Sequence, residues 1–345
     1  MSDSPISSSS SKDNIDARSA VAEEYEILEI EFYLFKAGSH EDAFTHGNEE
    51  QRVPGQWYFH RAPRRAAFVS SSRPDTASHS AAGGYRGGTR KGLDLTLGSQ
   101  IPLGPPLTSR FFDKAAQSSS NSSKDIRGGV LLRSIRRSSD SRVISGPSLL
   151  VDELLQRTQS SNIAELVQTK WCGNISAFPL SPSSSPTAVQ QALIYFKNME
   201  CEGPNFSTDG VHIFKSPRIG LDLSNPSTQL AVTDARIAFL SRPYRYFVHP
   251  HLLTSNGRAQ TFLGIYEHLS ASGHFDKNER GLIEEIGRLS GMKTVALVKY
   301  LESYRAGCAS DNLKQFVGPR GKGASASPAS YLRMMGCLHR FMPSV

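Results

Sequence analysis

The side chains best suited to acid/base chemistry lie in an alternating stretch near the start of the chain, residues 25–34, which reads Y-E-I-L-E-I-E-F-Y-L. Successive side chains of a β-strand point to opposite faces, so the alternation predicts a strand with two different faces. One face carries Glu29, Glu31 and Tyr33. The other face is apolar and carries Leu28, Ile30, Phe32 and Leu34. We expect the apolar face to lie in the core, and the polar face to be either solvent-exposed or the floor of a site where a carboxylate acts as a base.

Further strand patterns occur at residues 56–61, 92–97, 129–135 and 244–248. Many short strands separated by loop-length gaps favour a largely antiparallel sheet. Helical patterns occur at residues 148–157, 163–169, 187–197, 294–304 and 328–341. A further helical pattern precedes residue 294, with Asp276 as a candidate N-cap and Gly291 as a candidate helix end. The sequence therefore predicts an α+β fold with a mostly antiparallel sheet and flanking helices.

The composition limits the possible partners. Among 345 residues, 39 Lys and Arg against 32 Asp and Glu give a net charge of +7. With an isoelectric point near 9.2, this charge permits an anionic partner such as nucleic acid without requiring one. No apolar run approaches the ~20 residues of a membrane span, and the polar N-terminus lacks the apolar segment of a secretory signal. The cysteines lie far apart without C-x-x-C spacing, which fits a reducing, intracellular compartment and no zinc knuckle: Cys172, Cys201, Cys308 and Cys337.

Serine-rich stretches divide the chain. Residues 1–22 contain too few apolar side chains to offset the entropy of ordering and are predicted to be a disordered tail. Similar stretches near residues 66–84, 114–126 and 180–187 are predicted to be disordered insertions at loop tips. We expect one main domain over residues 23–262 and a helical C-terminal extension over residues 263–345.

Four separated segments occur in an order shared with a known protein family. They are E-I-E-F-Y at residues 29–33, G-V-L-L-R at residues 129–133, S-G-P-S-L-L at residues 145–150, and R-I-G at residues 218–220 followed by R-P-Y-R-Y-F-V at residues 242–248. In this order they resemble the alkyladenine (3-methylpurine) DNA glycosylases, which have E-T-E-A-Y, V-L-L-R-A, S-G-P-S-K-L, and then R-V-G and K-P-L-R-F-Y-V. The resemblance spans residues 25–248 with large interruptions.

The resemblance implies a fold and an activity. The fold is a single domain with a curved antiparallel sheet. The activity is that of a monofunctional base-excision enzyme in the nucleus, which binds double-stranded DNA, flips out a damaged purine and hydrolyses its N-glycosidic bond with a carboxylate-activated water. A monomer without metal or other cofactor is implied, and the C-terminal helices are left as a possible site for a protein partner.

The same resemblance assigns roles to four side chains. Glu31 is the base that activates water, and Arg133 lies beside it. Tyr33 forms one wall of the pocket for the flipped base, because an electron-rich ring stacks well on an alkylated purine. His46 is the counterpart of a base-contacting histidine, with His40 as the competitor. The residues alone leave simpler roles open: an exposed glutamate, a surface ion pair, a packing tyrosine and a solvated histidine.

Candidate DNA contacts lie at the start of the helix predicted at residues 148–157. Its first-turn N–H groups could hold a DNA phosphate, with Ser145, Gly146 and Ser148 as the contacting residues. The same residues also make a well-formed helix start, and both readings can hold together.

The chain departs from the family at residues 83–98, G-G-Y-R-G-G-T-R-K-G-L-D-L-T-L-G, where the family has a tyrosine-rich hairpin that enters the duplex. Tyr85 or Arg86 could act as the wedge, and Arg90 and Lys91 could contact phosphates; a flexible basic loop is the alternative. Asp94 replaces an asparagine that lies against the purine minor-groove edge. A carboxylate only accepts hydrogen bonds, so Asp94 could redirect base choice, and it could also place a like charge near Glu31.

Two other functions remain open. One is a non-catalytic nucleic-acid-binding protein that keeps the glycosylase fold but lost the hairpin and the asparagine. The other is a protein-interaction module built around the C-terminal helices, which leaves the four ordered segments unexplained.

Overall fold

The computed structural model describes residues 22–46, 48–60, 91–99, 126–178, 194–197, 211–253, 256–273 and 278–342, and the statements below concern those residues. The predicted tail at residues 1–22 lies outside them except for Ala22, and so do the predicted insertions near residues 66–84 and 180–187. The insertion predicted near residues 114–126 is described only at Ile126, where a strand begins.

The strands in the described part of the chain form one antiparallel sheet. Its strands are β1 Tyr25–Lys36, β2 His40–Glu41, β3 Trp57–His60, β4 Gly92–Thr96, β5 Ile126–Arg137, β6 Val143–Ser145, β7 Phe214–Ser216 and β8 Arg245–Phe247. The strand order is β3-β4-β5-β1-β8-β7, with β2 paired to β1 and β6 paired to β5. Each of the strand patterns named from the sequence is a strand of this sheet, and the expected antiparallel arrangement is confirmed.

Seven α-helices lie in the described part of the chain: α1 Pro147–Arg157, α2 Ile163–Glu165, α3 Ala235–Leu240, α4 Arg258–Ala271, α5 Glu279–Ser290, α6 Thr294–Cys308 and α7 Pro328–Phe341. Local signals account for several of their ends. Asn162, Asn278 and Ser327 cap α2, α5 and α7 with side-chain oxygens, and Gly291 ends α5 in the left-handed conformation at φ 68°. The candidate cap Asp276 lies outside the described residues. The coarse α+β class predicted from sequence is therefore confirmed.

One predicted helix is not found where it can be checked. Of residues 187–197, the structure describes 194–197, and these are not helical. They pack instead against Trp57 of β3, whose indole Nε1 donates to the backbone oxygen of Ile194 at 2.9 Å and whose ring lies 5.0 Å from that of Phe196. Tertiary packing on the sheet overrides the local helical pattern.

Two hydrophobic clusters lie against the sheet. One joins Trp57, Leu93 and Leu132 to the apolar face of α1. The other joins Phe214 of β7 and Phe247 of β8 to the helices α4 to α7. The boundary expected between residues 262 and 263 falls inside α4, and Phe262 and Leu263 are both buried in the second cluster. The C-terminal helices thus share a core with the sheet.

Candidate functional site

Two irregularities in the β1–β5 ladder place the charged side chains. The register shifts twice around Glu29, which leaves Leu28 of β1 and Arg133 of β5 as extra residues. Such bulges bend a strand and re-aim its side chains. Arg133 consequently reaches both carboxylates of β1: its Nε lies 3.2 Å from Glu29 Oε1, and its Nη1 lies 3.3 Å from Glu31 Oε2.

Glu31 is completely buried, which rules out the alternative of a solvent-exposed strand glutamate. Its Oε1 accepts from the backbone N–H of Ile219 at 2.7 Å, and its Oε2 accepts from the Tyr33 hydroxyl at 2.8 Å and from Arg133. Burial and the negative charge of Glu31 raise the pKa of Tyr33 well above its ordinary value. Tyr33 therefore stays protonated and donates to Glu31.

Glu29 is also buried and is held by a different set of donors. Its Oε1 accepts from Arg245 Nε at 2.6 Å and from Arg133, and its Oε2 accepts from the Ser134 hydroxyl at 2.5 Å. Burial alone would raise the pKa of Glu29, but the charges of Arg245 and Arg133 and the bond from Ser134 outweigh it and lower that pKa. Glu29 is thus an ionised carboxylate in the interior.

The network around Glu29 extends to β6, β7 and α4. Arg245 also donates to Ser216 at 2.9 Å and to Thr261 of α4 at 3.1 Å. Ser134 lies 2.9 Å from the hydroxyl of Ser145. Ser145 is buried, so its predicted contact with a DNA phosphate is not compatible with this position. Its place is in the interior network.

A second buried ion pair supports Tyr33. Arg218 donates to both carboxylate oxygens of Asp42, at 2.6 and 3.1 Å, and to the backbone oxygen of Phe32 at 3.0 Å. Its guanidinium carbon lies 4.5 Å from the centre of the Tyr33 ring. One side of the ring that was predicted to stack on a base therefore faces a buried cation.

His46 and Asp94 come together through His60, a residue that the sequence did not single out. His60 Nδ1 lies 3.0 Å from Asp94 Oδ2, and its ring stacks on that of His46 with centroids 5.4 Å apart. Burial lowers the pKa of His60, but its hydrogen bond to Asp94 and the Asp94 charge outweigh that and raise it. Burial and neighbouring His60 lower the pKa of His46. The competitor His40 packs against Phe239 instead.

Asp94 and Glu31 lie in one row across the sheet. Each pairs with Leu131 of β5, from opposite sides, so they lie two strands apart on the same face. Two inter-strand steps amount to ~10 Å. The two carboxylates are therefore separated by the buried Leu131 side chain and do not touch.

The remaining predicted DNA contacts are divided between the described and undescribed parts of the chain. Tyr85, Arg86 and Arg90 lie outside the described residues. Lys91 is half-exposed and pairs with Asp152 of α1 at 2.7 Å.

The start of α1 is tied to the same region. Gly146 precedes α1 with a φ of 123°, which favours glycine, and its N–H donates to the backbone oxygen of Arg133 at 2.7 Å. The Ser148 hydroxyl donates to the backbone oxygen of Lys91 at 3.3 Å. No side chain caps the start of α1. Gly146 thus links the helix directly to the strand position that carries Arg133.

A cleft of about 510 Å³ opens at the β3 edge of the sheet. It is lined by Asn48, Tyr58 and Val167 among others, and Tyr58 pairs with Asp94 across the β3–β4 ladder. Glu31, Tyr33 and Arg133 do not line it. Glu31 is therefore enclosed in this structure, whereas the strand next to Asp94 borders open space.

Sequence patterns could have revealed part of what was missed. Arg218 and Arg245 both lie within the quoted segments at residues 218–220 and 242–248. Asp42 and His60 carry no such signal, because their partners Arg218 and Asp94 are distant in sequence.

The comparisons with known proteins are sparse. No family model matches the chain, and no solved structure matches it. A protein of Acanthamoeba polyphaga mimivirus, described as uncharacterized, is 29% identical over 142 residues. That match covers 41% of this chain and 52% of the viral protein, so the chain spans about half the length of the relative it matches.

Two further findings concern partners. In the part of the chain that the structure describes, no helix combines the length and apolar character needed to cross a membrane. Among the same residues, no three His, Cys, Asp or Glu side chains gather in a way that could hold a metal ion.

Proposed function

We propose that the protein is a DNA glycosylase that removes a modified purine from duplex DNA, with Glu31 as the base that activates water. One observation carries the proposal: groups from all of the segments that resemble the glycosylases belong to one hydrogen-bonded network around a pair of buried carboxylates. Glu29 and Glu31 come from the first segment and Arg133 from the second, and Ser145 of the third reaches Glu29 through the hydroxyl of Ser134. The fourth supplies the N–H of Ile219 and the guanidinium of Arg245.

The proposed reaction assigns a role to each group. A water molecule takes the place of the Tyr33 hydroxyl at Glu31 Oε2, loses a proton to that carboxylate and forms a bond to the sugar C1′. The C1′–N bond breaks, and its electron pair leaves with the base. Arg133 and the Ile219 N–H hold the carboxylate in place, while Glu29 keeps the two arginines ordered. In this proposal the enzyme acts as a monomer in the nucleus, without a cofactor.

The decisive variant is Glu31→Gln. Glutamine keeps the size of the side chain but cannot take the proton, so we expect base release to fall by ~100-fold or more while duplex binding persists. Duplexes carrying a methylated purine, hypoxanthine or ethenoadenine are incubated with the protein, and abasic sites are counted by alkaline strand cleavage.

Glu26→Gln is the matched control. Glu26 lies on the same strand but pairs with Arg136 near the surface, so its substitution should leave turnover unchanged. Turnover retained by Glu31→Gln, or absent from the wild type with every substrate, would contradict the proposal.

A second candidate is a non-catalytic nucleic-acid-binding protein with the same fold. The complete burial of Glu31, with donors on both oxygens, favours it, because such a carboxylate is also well suited to a purely structural role. Under this candidate the wild type binds duplex DNA without releasing any base, and Glu31→Gln lowers only the thermal stability.

A further inference from the structure

One oxygen on the polar face of the sheet has no partner. Asp94 is buried, and while its Oδ2 is bonded to His60, its Oδ1 has no hydrogen-bond partner within the described part of the chain. Buried polar atoms in folded proteins are nearly always paired, because leaving one unpaired costs free energy. An unpaired carboxylate oxygen that is kept in the interior points to a donor that arrives with a ligand.

Two strand glycines let the side chains of His60 and Asp94 pack closely on the sheet. At Gly92 a methyl group would lie 2.0 Å from His60 Cε1, so the His60 ring occupies the space that a side chain at position 92 would fill. Gly129 lies between Tyr33 of β1 and Thr96 of β4, and a methyl there would lie 3.1 Å from Asp94 Cβ. Glycine at this strand position therefore lets the Asp94 side chain pack directly against the backbone of β5.

The chemical properties of the Asp94–His60 pair determine which ligand group can bond to the unpaired Asp94 oxygen. The hydrogen bond to Asp94 and the charge of Asp94 raise the pKa of His60 and so favour an imidazole that donates to Asp94 Oδ2. His60 thereby holds one Asp94 oxygen and leaves the other as a pure acceptor. Such an oxygen is satisfied by an N–H group and repels a carbonyl or an unprotonated ring nitrogen.

We infer that Asp94, positioned by His60, reads the flipped base and selects purines that carry an exocyclic amino group. This rests on the proposed glycosylase function. The distance fits, because Asp94 lies ~10 Å from Glu31, two strands away across the sheet. A purine nucleoside whose C1′ lies near the attacking water spans that distance with its amino edge. His60 is a positioning residue, and Asp94 touches the substrate.

The test compares matched bases under single-turnover conditions. Duplexes carry 7-methylguanine or 7-methylhypoxanthine, which differ in the 2-amino group, and 7-methyladenine or 7-methylpurine, which differ in the 6-amino group. Abasic sites are counted above spontaneous loss. We expect the wild type to prefer the amino-bearing base in at least one pair. Asp94→Asn should reduce that preference by ~10-fold, as expected for one charge-assisted hydrogen bond.

Controls separate specificity from folding. His60→Gln keeps the Asp94 charge but loosens its position, so it should reduce the same preference by a smaller factor even if Asp94→Asn folds poorly. Asp311→Asn, at an exposed ion pair with Arg340, should leave the rates of release of the amino-bearing and the amino-lacking base unchanged. Thermal unfolding is measured for each variant.

The outcomes are distinguishable. If the wild type releases bases but the preference is unchanged in Asp94→Asn and His60→Gln, the inference fails and the proposed function stands. If the wild type releases no base from any duplex, both fail.

Discussion

At the scale of single residues, the protein holds several full charges in its interior. Glu29 and Glu31 lie between Arg133 and Arg245, and Asp42 pairs with Arg218. Removing a charge from water is expensive, and a buried pair offsets that cost only when its geometry and further hydrogen bonds are good. Every carboxylate oxygen of the two glutamates has at least one donor here, which satisfies that condition. The cluster is therefore ordered, whether or not it performs chemistry.

Glu29→Gln tests the structural side of this cluster. We expect the free energy of unfolding to fall by ~3–5 kcal/mol, because Arg245 and Arg133 are left buried without a full counter-charge. The pKa of Glu29 is lowered on folding from an ordinary value of 4.5. Its stabilisation is therefore fully present above about pH 4.5 and is lost as the pH falls through the lower folded-state pKa.

Urea unfolding between pH 7 and pH 3 measures this difference. The difference in the free energy of unfolding between wild type and Glu29→Gln should be constant near neutral pH and should become smaller in acid. Glu284→Gln, at an exposed i,i+4 pair with Arg280, should behave like the wild type throughout. A gap that widens in acid would show that Glu29 is protonated in the folded protein.

At the scale of elements, two bulges, one helix and two strand glycines build the polar face. The bulges turn Arg133 toward β1, and α4 supplies Thr261 to Arg245 from above. The helix lies very close to β7, since a methyl group at Gly264 would lie 2.4 Å from the backbone oxygen of Lys215. The fit of α4 on the sheet therefore positions Arg245.

Gly92→Ala tests the element that supports His60. The added methyl collides with the imidazole, so we expect His60 to move away from Asp94 and the protein to lose ~1–3 kcal/mol of stability. The pKa of His60 should fall once the Asp94 contact is gone, which NMR titration of the histidine ring measures.

The matched control is Gly287→Ala in α5, where the nearest atom to an added methyl is 3.4 Å away. That change should keep the His60 titration and slightly raise stability, since alanine favours helix. An unchanged His60 pKa in Gly92→Ala would mean that the ring does not depend on the glycine.

At the scale of the whole molecule, the second hydrophobic cluster joins the sheet to the C-terminal helices. Phe214 and Phe247 of the sheet lie in the same cluster as Phe262, Ile286, Leu301 and Leu332 of α4 to α7. Burial of each large apolar side chain contributes ~1.5–3 kcal/mol, against a typical net stability of ~5–15 kcal/mol. The burial of a few such side chains is therefore comparable to the whole net stability, and their loss is enough to unfold the sheet.

Truncation after residue 257 therefore tests whether the helices are a separable extension. We expect the shortened chain to lose cooperative unfolding and near-ultraviolet circular dichroism, because the second cluster and the Thr261 bond to Arg245 are lost. Removal of residues 1–21, predicted from the sequence to be a polar tail, should leave the melting temperature unchanged. A cooperative transition in the truncated chain would establish an independent domain over the earlier residues.

The sequence by itself determined where several of the elements lie, because strand and helix patterns are local. The two-residue period at residues 25–34 and the Pro147 and Gly291 signals correspond to β1, α1 and the end of α5. The alternation also placed Tyr33 on the same face as Glu31, the resemblance to the glycosylases placed Arg133 beside Glu31, and the contacts of both with Glu31 are present.

Only the tertiary structure decided how deep those side chains lie and what holds them. The polar face of β1 is buried because α4 and the chain at Ile219 lie over it and over the neighbouring Arg245 of β8, and no local pattern encodes that coverage. Asp42 meets Arg218 across 176 positions, and His60 meets Asp94 across 34. Side-chain pairs of this kind are set by the packing of distant elements, so the burial of Glu31 and Ser145 and the unpaired oxygen of Asp94 could be read only from the folded chain.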